Sequence, residues 1–286
     1  MGSLNSSVTR VWPVFTELFC HGGDSKESLR IIFDLVFSKS KKKLAEVLRD
    51  HVDSVKKDLL DKPAVPRKIN GLSLRLPACF EYGAPAPERF LFWLIEHAGQ
   101  ECKPRKGLPE SQRIAGHRSD LFGPDGPSQH AAREDAIQQL LINGSEQSRR
   151  QWWALEGETS VDCFLETPSM VLLIEGKRTD AISSGIDWFD KRNQISRNLE
   201  IAQAQARGRR YAVLLAAEHE TAVSLTDIAD GLPHMSSSEQ AFLAEHYLGC
   251  VTWKELCDAA KLQIKLDELS NVASAEQWLL AKGFGD

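Results

Sequence analysis

The stretch SMVLLIEGK, residues 169–177, is apolar until it stops on Glu175, and Lys177 follows two positions later. On a strand, side chains two apart share a face, so this acid and this base stand side by side at the mouth of a sheet. The run before it, SVDCFLET at 160–167, is a second strand candidate, and Pro168 separates the two as a hairpin turn. Antiparallel pairing about that turn sets Asp162 opposite Glu175. Directly opposed acids repel, and a sheet tolerates them where a cation sits between them or where the strand ends splay into solvent. Two carboxylates and the backbone carbonyl of Gly176 supply the hard oxygen ligands that Mg²⁺ prefers. An adjacent lysine then stabilises an activated hydroxide or the charge developing on a phosphoryl group. The plain alternative is an exposed Glu175–Lys177 ion pair, worth ~0–1 kcal/mol.

The elements around these residues read as an α/β core. REDAIQQLLING, from Arg133, has a helical stripe of Ala136, Ile137, Leu140 and Leu141, and Gly144 as its stop. RRQWWALEG at 149–157 is a further strand candidate. WFDKRNQISRNLEIAQAQARG, 188–208, reads as a helix with Ile195, Leu199 and Ala202 on one face. RYAVLLAAEH, from Arg210, is another continuous apolar strand. Strand, helix, strand implies a right-handed crossover and a parallel pair. With the antiparallel hairpin, the expected fold class is α/β with a mixed central sheet and flanking helices.

Asp162 followed by Glu175-Gly176-Lys177 after a hairpin-sized gap resembles the PD-(D/E)XK nuclease superfamily, over residues 130–217. The resemblance implies a restriction-endonuclease-like core and Mg²⁺- or Mn²⁺-dependent hydrolysis of phosphodiester bonds, with DNA as the expected substrate. It implies metal ligation by Asp162, Glu175 and the carbonyl of Gly176, and assistance to the attacking water by Lys177. An acid from the preceding helix often completes such sites; Glu134 matches that position best, and Glu88 on an earlier helix competes with it. Polar residues on the following helix commonly line such sites, a part that Gln194 and Asn198 fit, joined by Arg192 or Arg197. Val161 stands where the family often has proline. A nuclease-like module that binds nucleic acid or protein without cutting is the alternative. On their own, Gln194 and Asn198 read equally as exposed polar positions on an amphipathic helix.

Other motifs carry less. Gly176-Lys177-Arg178-Thr179 resembles the end of a phosphate loop, but Val171 stands where that loop needs glycine. Glu166 lies too near the hairpin turn to meet Glu175, and Asp180 reads as a turn or cap residue. Six cysteines (20, 79, 102, 163, 250, 257) show no CxxC spacing, so zinc and disulfides are not expected. His117 and His130 lack a third ligand. Lys103, Arg105, Lys106, Arg113 and Arg118 form a basic island in a long Gly- and Pro-rich loop, which reads as a solvated loop or a DNA clamp. Of the adjacent Trp152 and Trp153, one is expected in the core, and the other is free to pack or to stack on a base.

The chain has 286 residues, 42% hydrophobic and 26% charged, with net charge -5. No segment reaches the ~18–20 apolar residues of a membrane span. The first residues lack a secretory signal and only loosely match a myristoylation pattern. A cytoplasmic protein without a membrane partner is expected; a homodimer is left open. Ten of the twelve prolines precede residue 130. Residues 26–60 read as helical, with Leu44, Leu48, Val52, Val55 and Leu59 on one face and the lysines of SKSKKK solvated. The expected organisation is a helical N-terminal region at 1–62, an irregular linker at 63–86 and the nuclease-like domain at 87–286. ERFLFWLIEHAG, from Glu88, reads as a buried helix stopped by Gly99. The tail reads as helical, with capping boxes at Ser236/Glu239 and Thr252/Glu255.

Overall fold

The computed structural model describes residues 6–21, 24–52, 65–69, 72–76, 79–104, 112–145, 151–179 and 181–284. Val55, Leu59, Pro63, Arg105, Lys106 and Asp180 lie outside the described residues, as does the side chain of Arg113. A five-stranded mixed sheet forms the centre: β3 (Phe80–Ala84), β4 (Thr159–Glu166), β5 (Met170–Gly176), β6 (Arg210–Ala217) and β7 (Tyr247–Thr252), in that order. The β3–β4 and β4–β5 pairs are antiparallel, and the β5–β6 and β6–β7 pairs are parallel. The mixed α/β expectation holds at this level, as does the hairpin register: Cys163 pairs with Ile174 and Leu165 with Leu172, which continues to Asp162 opposite Glu175.

Alternation along β5 and β6 buries both faces. Leu172, Ile174, Leu214 and Ala216 pack with the N-terminal helical segments and with two C-terminal helices, Trp253–Ala260 and Val272–Ala281. Leu173, Val213 and Leu215 face α7 (Gln194–Ala206), whose Ile195, Leu199 and Ala202 form the expected stripe. Strands buried on both sides read as continuous apolar runs, which is why β5 and β6 stand out in the sequence.

The N-terminal helical extension starts with a π-helical segment Ser7–Val11, then α1 (Trp12–Thr16) and a second π-helical segment, Glu17–His21. It continues into α2 (Ser25–Ser40) and α3 (Lys43–Asp50), separated because Lys41 adopts a left-handed cap with φ 48°. Lys39 is not simply solvated: its Nζ lies 2.9 Å from Glu255 and 3.4 Å from Glu220.

Several expectations fail. The 63–86 stretch holds three strands: β3, and the separate hairpin of β1 (Val65–Ile69) with β2 (Leu72–Leu76). The tail contributes β7 as well as helices; Gly249, at φ 102°, interrupts its alternation, and the β6–β7 register shifts there. RRQWWALEG forms no strand over its described residues, because Arg118 donates to the carbonyls of Gln151, Trp152 and Ala154, and no neighbouring strand does so. The long loop is interrupted by α5 (Gln112–Leu121). The helix expected from Arg133 begins earlier, as α6 (Pro127–Asn143); its buried stripe is Ala132, Ala136 and Leu140, leaving Leu141 exposed. The helix expected from Trp188 starts only at Gln194. The Asn193 side chain accepts from Ser196 N at 2.9 Å and caps it, while Trp188 and Phe189 turn into a third cluster with α4 (Glu88–Glu96) and α6. The capping boxes at Ser236 and Thr252 both form.

Candidate active site

The C-terminal end of β5 brings the motif together. Glu175 is buried on the α7 side, and Lys177 continues the strand direction, its N–H donating to Ala216 O. The Lys177 carbonyl is held from two sides, by Glu218 N at 3.1 Å and by Trp253 Nε1 at 2.8 Å. This fixes the lysine backbone, and its side chain turns back along the strand end. Its Nζ pairs with Glu175 Oε1 at 2.8 Å and donates to Gln194 Oε1 at 2.9 Å. Gln194 opens α7, and Asn198, one turn on, donates its Nδ2 to Glu175 Oε2 at 3.0 Å. The i, i+4 spacing on one helix face therefore puts two amides on the acid and the base of the motif.

Asp162 joins from β4. Its Oδ2 accepts the Gly176 N–H at 2.8 Å, and its Oδ1 accepts the Ser7 hydroxyl at 2.6 Å. A local irregularity explains this reach. Phe80 and Cys163 lie with the N-terminal cluster, whereas Ala84 and Val161 lie with the α7 cluster, so the in–out alternation slips by one phase between them. Glu81, across from Asp162 between two register pairs, is left-handed at φ 50°. A non-glycine residue in this region stores about 1–3 kcal/mol of strain, and here the slip lets one acid touch both the hairpin partner and the N-terminal segment.

Burial dominates the electrostatics. It pushes the Glu175 carboxyl up to about 8; the charge of Asp162 adds to the rise, and Lys177 and Asn198 oppose it. Asn198 Oδ1 is buried without a hydrogen-bond donor, whereas Glu175 Oε1 has the Lys177 ammonium as its partner. The carboxylates of Glu175 and Asp162 and this one orphaned amide oxygen are hard oxygen donors, the type taken by Mg²⁺ or Mn²⁺, ions that retain water and need one or two protein carboxylates. The third acid is not brought in. Glu134 stands exposed on α6, and Glu88 accepts from Ser145 N. Among the described residues no group of three His, Cys, Asp or Glu is placed to hold a metal.

No protein-family model, no curated protein and no solved structure matches the chain. Function is therefore read from this geometry alone.

Of the two arginines, Arg197 stays near the site and Arg192 leaves it. Arg192 is fully buried: it pairs with Glu156 and Glu200, donates to Gly231 O at 3.2 Å, and stacks its guanidinium 3.8 Å from the Phe90 ring centre. A substrate-contacting role for it is replaced by a structural one. Arg197 keeps a partly exposed side chain, with Nε 3.8 Å from Glu156 Oε1; burial lowers its pKa, and Glu156 and Glu175 oppose that. The buried carboxylates Glu156 and Glu200 were missed in the sequence, where nothing distinguishes them from surface acids. So was the cap of Ser7 on Asp162, a contact across 155 positions.

Of the expected basic island, only the side chains of Lys103 and Arg118 lie within the described residues. Arg118 is spent on backbone carbonyls and lies over Trp188, and His117 stacks on Trp152 at 4.7 Å. Trp153 is the core member of the tryptophan pair. A separate cleft of about 440 Å³ borders Asn193, next to Gln194, lined by Ser183, Asp190, Thr221, Asp227 and Asp230. Its three acids outnumber its one lysine, Lys191, which pairs with Asp230, so the motif, and not this cleft, is the better candidate for phosphate chemistry. Among the described residues no helix is long and apolar enough to cross a membrane.

Proposed function

We propose that this chain is a divalent-metal-dependent nuclease of the PD-(D/E)XK type, built on a restriction-endonuclease-like core and hydrolysing phosphodiester bonds in DNA. The observation that carries the reading is the convergence of Asp162, Glu175, Lys177, Gln194 and Asn198 at one strand end, with the buried Asn198 Oδ1 left without a donor. Asp162, Glu175 and the Gly176 carbonyl would hold Mg²⁺ or Mn²⁺, with Asn198 Oδ1 within the same donor set. The metal, when bound, lowers the pKa of water and offsets phosphoryl charge.

The chain's own groups do the rest. Asn198 orients the Glu175 carboxyl, and Gln194 Oε1 fixes the Lys177 ammonium in the half-open mouth. From there Lys177 places positive charge beside a non-bridging phosphate oxygen as water attacks phosphorus and the P–O bond to the leaving alkoxide breaks. Arg197 adds a second cation at the same end of α7. That no third carboxylate joins the two among the described residues favours a second reading, in which the domain binds nucleic acid without cutting it.

Cleavage of single- and double-stranded DNA in Mg²⁺, Mn²⁺ and EDTA separates the two. Metal-dependent cutting that disappears in folded Glu175→Ala and Lys177→Ala supports the nuclease. Absence of cutting with either metal, with equal DNA binding by all three proteins, sinks it.

A further inference from the structure

The N-terminal helical segment packs against both strands of the motif, β4 and β5. The Ser7 hydroxyl is buried and donates to Asp162 Oδ1 at 2.6 Å. Val11, one helical turn on, fills the space beside Gly176: a Cβ built there meets Val11 Cγ2 at 2.2 Å. Arg10, 2% exposed, holds Glu218 by Nε at 2.8 Å and Nη2 at 3.3 Å, and the Glu218 N–H in turn holds the Lys177 carbonyl. Three residues of one turn thus reach Asp162, Gly176 and Lys177, directly or through one intermediary.

The segment's form agrees with such a role. Two π-helical stretches frame only five α-helical residues. This form is rare beside the α-helix and recurs at functional sites. Asp162 needs the support, because the phase slip at Glu81 removes the strand geometry that would otherwise aim its side chain.

We infer that Ser7 is a positioning residue of the metal site. Its hydroxyl engages one oxygen of Asp162 while the Gly176 N–H engages the other, so the carboxylate keeps one orientation at the strand end. The inference rests on the metal-dependent reading above and deepens it. The N-terminal segment is then part of the active centre.

Groups that orient a ligating side chain typically contribute 10–100-fold to metal affinity. Mn²⁺ binding followed by electron paramagnetic resonance at pH 8.5 reads this directly. Ser7→Ala is expected to weaken binding about tenfold, and Ser7→Thr, which keeps the hydroxyl, to restore it. A readout without metal accompanies it: in EDTA, hydrogen exchange of the Gly176 amide, which donates to the same carboxylate, accelerates in Ser7→Ala while amides in β6 do not change. Equal Mn²⁺ affinity of wild type and Ser7→Ala overturns the inference and leaves the metal reading standing. A wild type that binds Mn²⁺ no better than Glu175→Ala overturns the metal reading and the inference with it. Unchanged exchange at Gly176 shows that Ser7 does not position Asp162 at all.

Discussion

Asn198 Nδ2 donates to Glu175 Oε2 across 3.0 Å, with both side chains buried, Glu175 Oε1 paired with Lys177 and Asn198 Oδ1 left without a donor. A buried amide oxygen left in this way is unfavourable on its own terms. It is readily explained if a cation completes it. The pair also ties β5 to α7, so the strand that ends on the motif and the helix that lines it share a hydrogen bond at the reacting end.

The raised Glu175 carboxyl makes the stability of the metal-free protein depend on pH. Its folded value of about 8 lies above an ordinary value near 4.5. Between these limits the folded state holds a proton that the unfolded state has released. The stabilisation is therefore complete below the ordinary value and is lost as pH rises through about 8, with a slope of about 1.4 kcal/mol per pH unit. Urea midpoints in EDTA at pH 6 and pH 8 should fall for wild type, and more shallowly for Glu175→Gln. Parallel profiles would show that Glu175 is ionised throughout.

Metal affinity should run in the opposite direction. A divalent cation needs the ionised carboxylate, so binding expels the Glu175 proton. Apparent Mn²⁺ affinity is expected to rise about tenfold per pH unit from pH 6 towards 8 and then to level off. Titration calorimetry in two buffers of different ionisation enthalpy should report close to one proton released at pH 7. Proton-neutral binding at that pH contradicts the assignment.

Arg192 belongs to the fold, and its loss should show as instability. It lies buried between Glu156 and Glu200, and His234 Nε2 closes the far end 2.7 Å from Glu200. Removing one partner of a buried pair costs about 3–5 kcal/mol, because the other charge is left unpaired. Arg192→Met should lose that much in urea unfolding. A loss below about 1 kcal/mol combined with weaker DNA binding would return Arg192 to the substrate.

What the sequence discloses here is local. The run ending in Glu175 and Lys177, the turn at Pro168 and the Ile195–Leu199–Ala202 stripe carry their periods within a dozen residues, and the structure places them as expected. The strands β3 and β7 are short and acquire meaning only beside β4 and β6, partners that local patterns cannot name. The β1–β2 hairpin had a signal, since Asn70-Gly71 separates the paired Ile69 and Leu72, but the surrounding prolines read as linker. Gln194 and Asn198 are found from helix spacing. Arg192 is not, because composition assigns a charged residue to the surface and only tertiary packing supplies its two carboxylates.

The contact between Gly176 and Val11 gives the most direct test of whether the N-terminal segment sits on the motif. An added Cβ at 176 meets Val11 Cγ2 at 2.2 Å, Trp253 Cζ2 at 3.3 Å and Asp162 Oδ2 at 3.4 Å. Val11 is fully buried, and its short branched side chain has little freedom to retreat. Overpacking of this kind costs about 1–3 kcal/mol, so Gly176→Ala should destabilise by that amount and displace the segment carrying Ser7. Val11→Ala alone also destabilises, by leaving a cavity. Combined, the two changes relieve one another: the double variant should be more stable than the sum of the single losses by at least about 1 kcal/mol, within the range found for residues in contact. Strict additivity in urea unfolding would mean that the N-terminal segment does not press on Gly176 in solution.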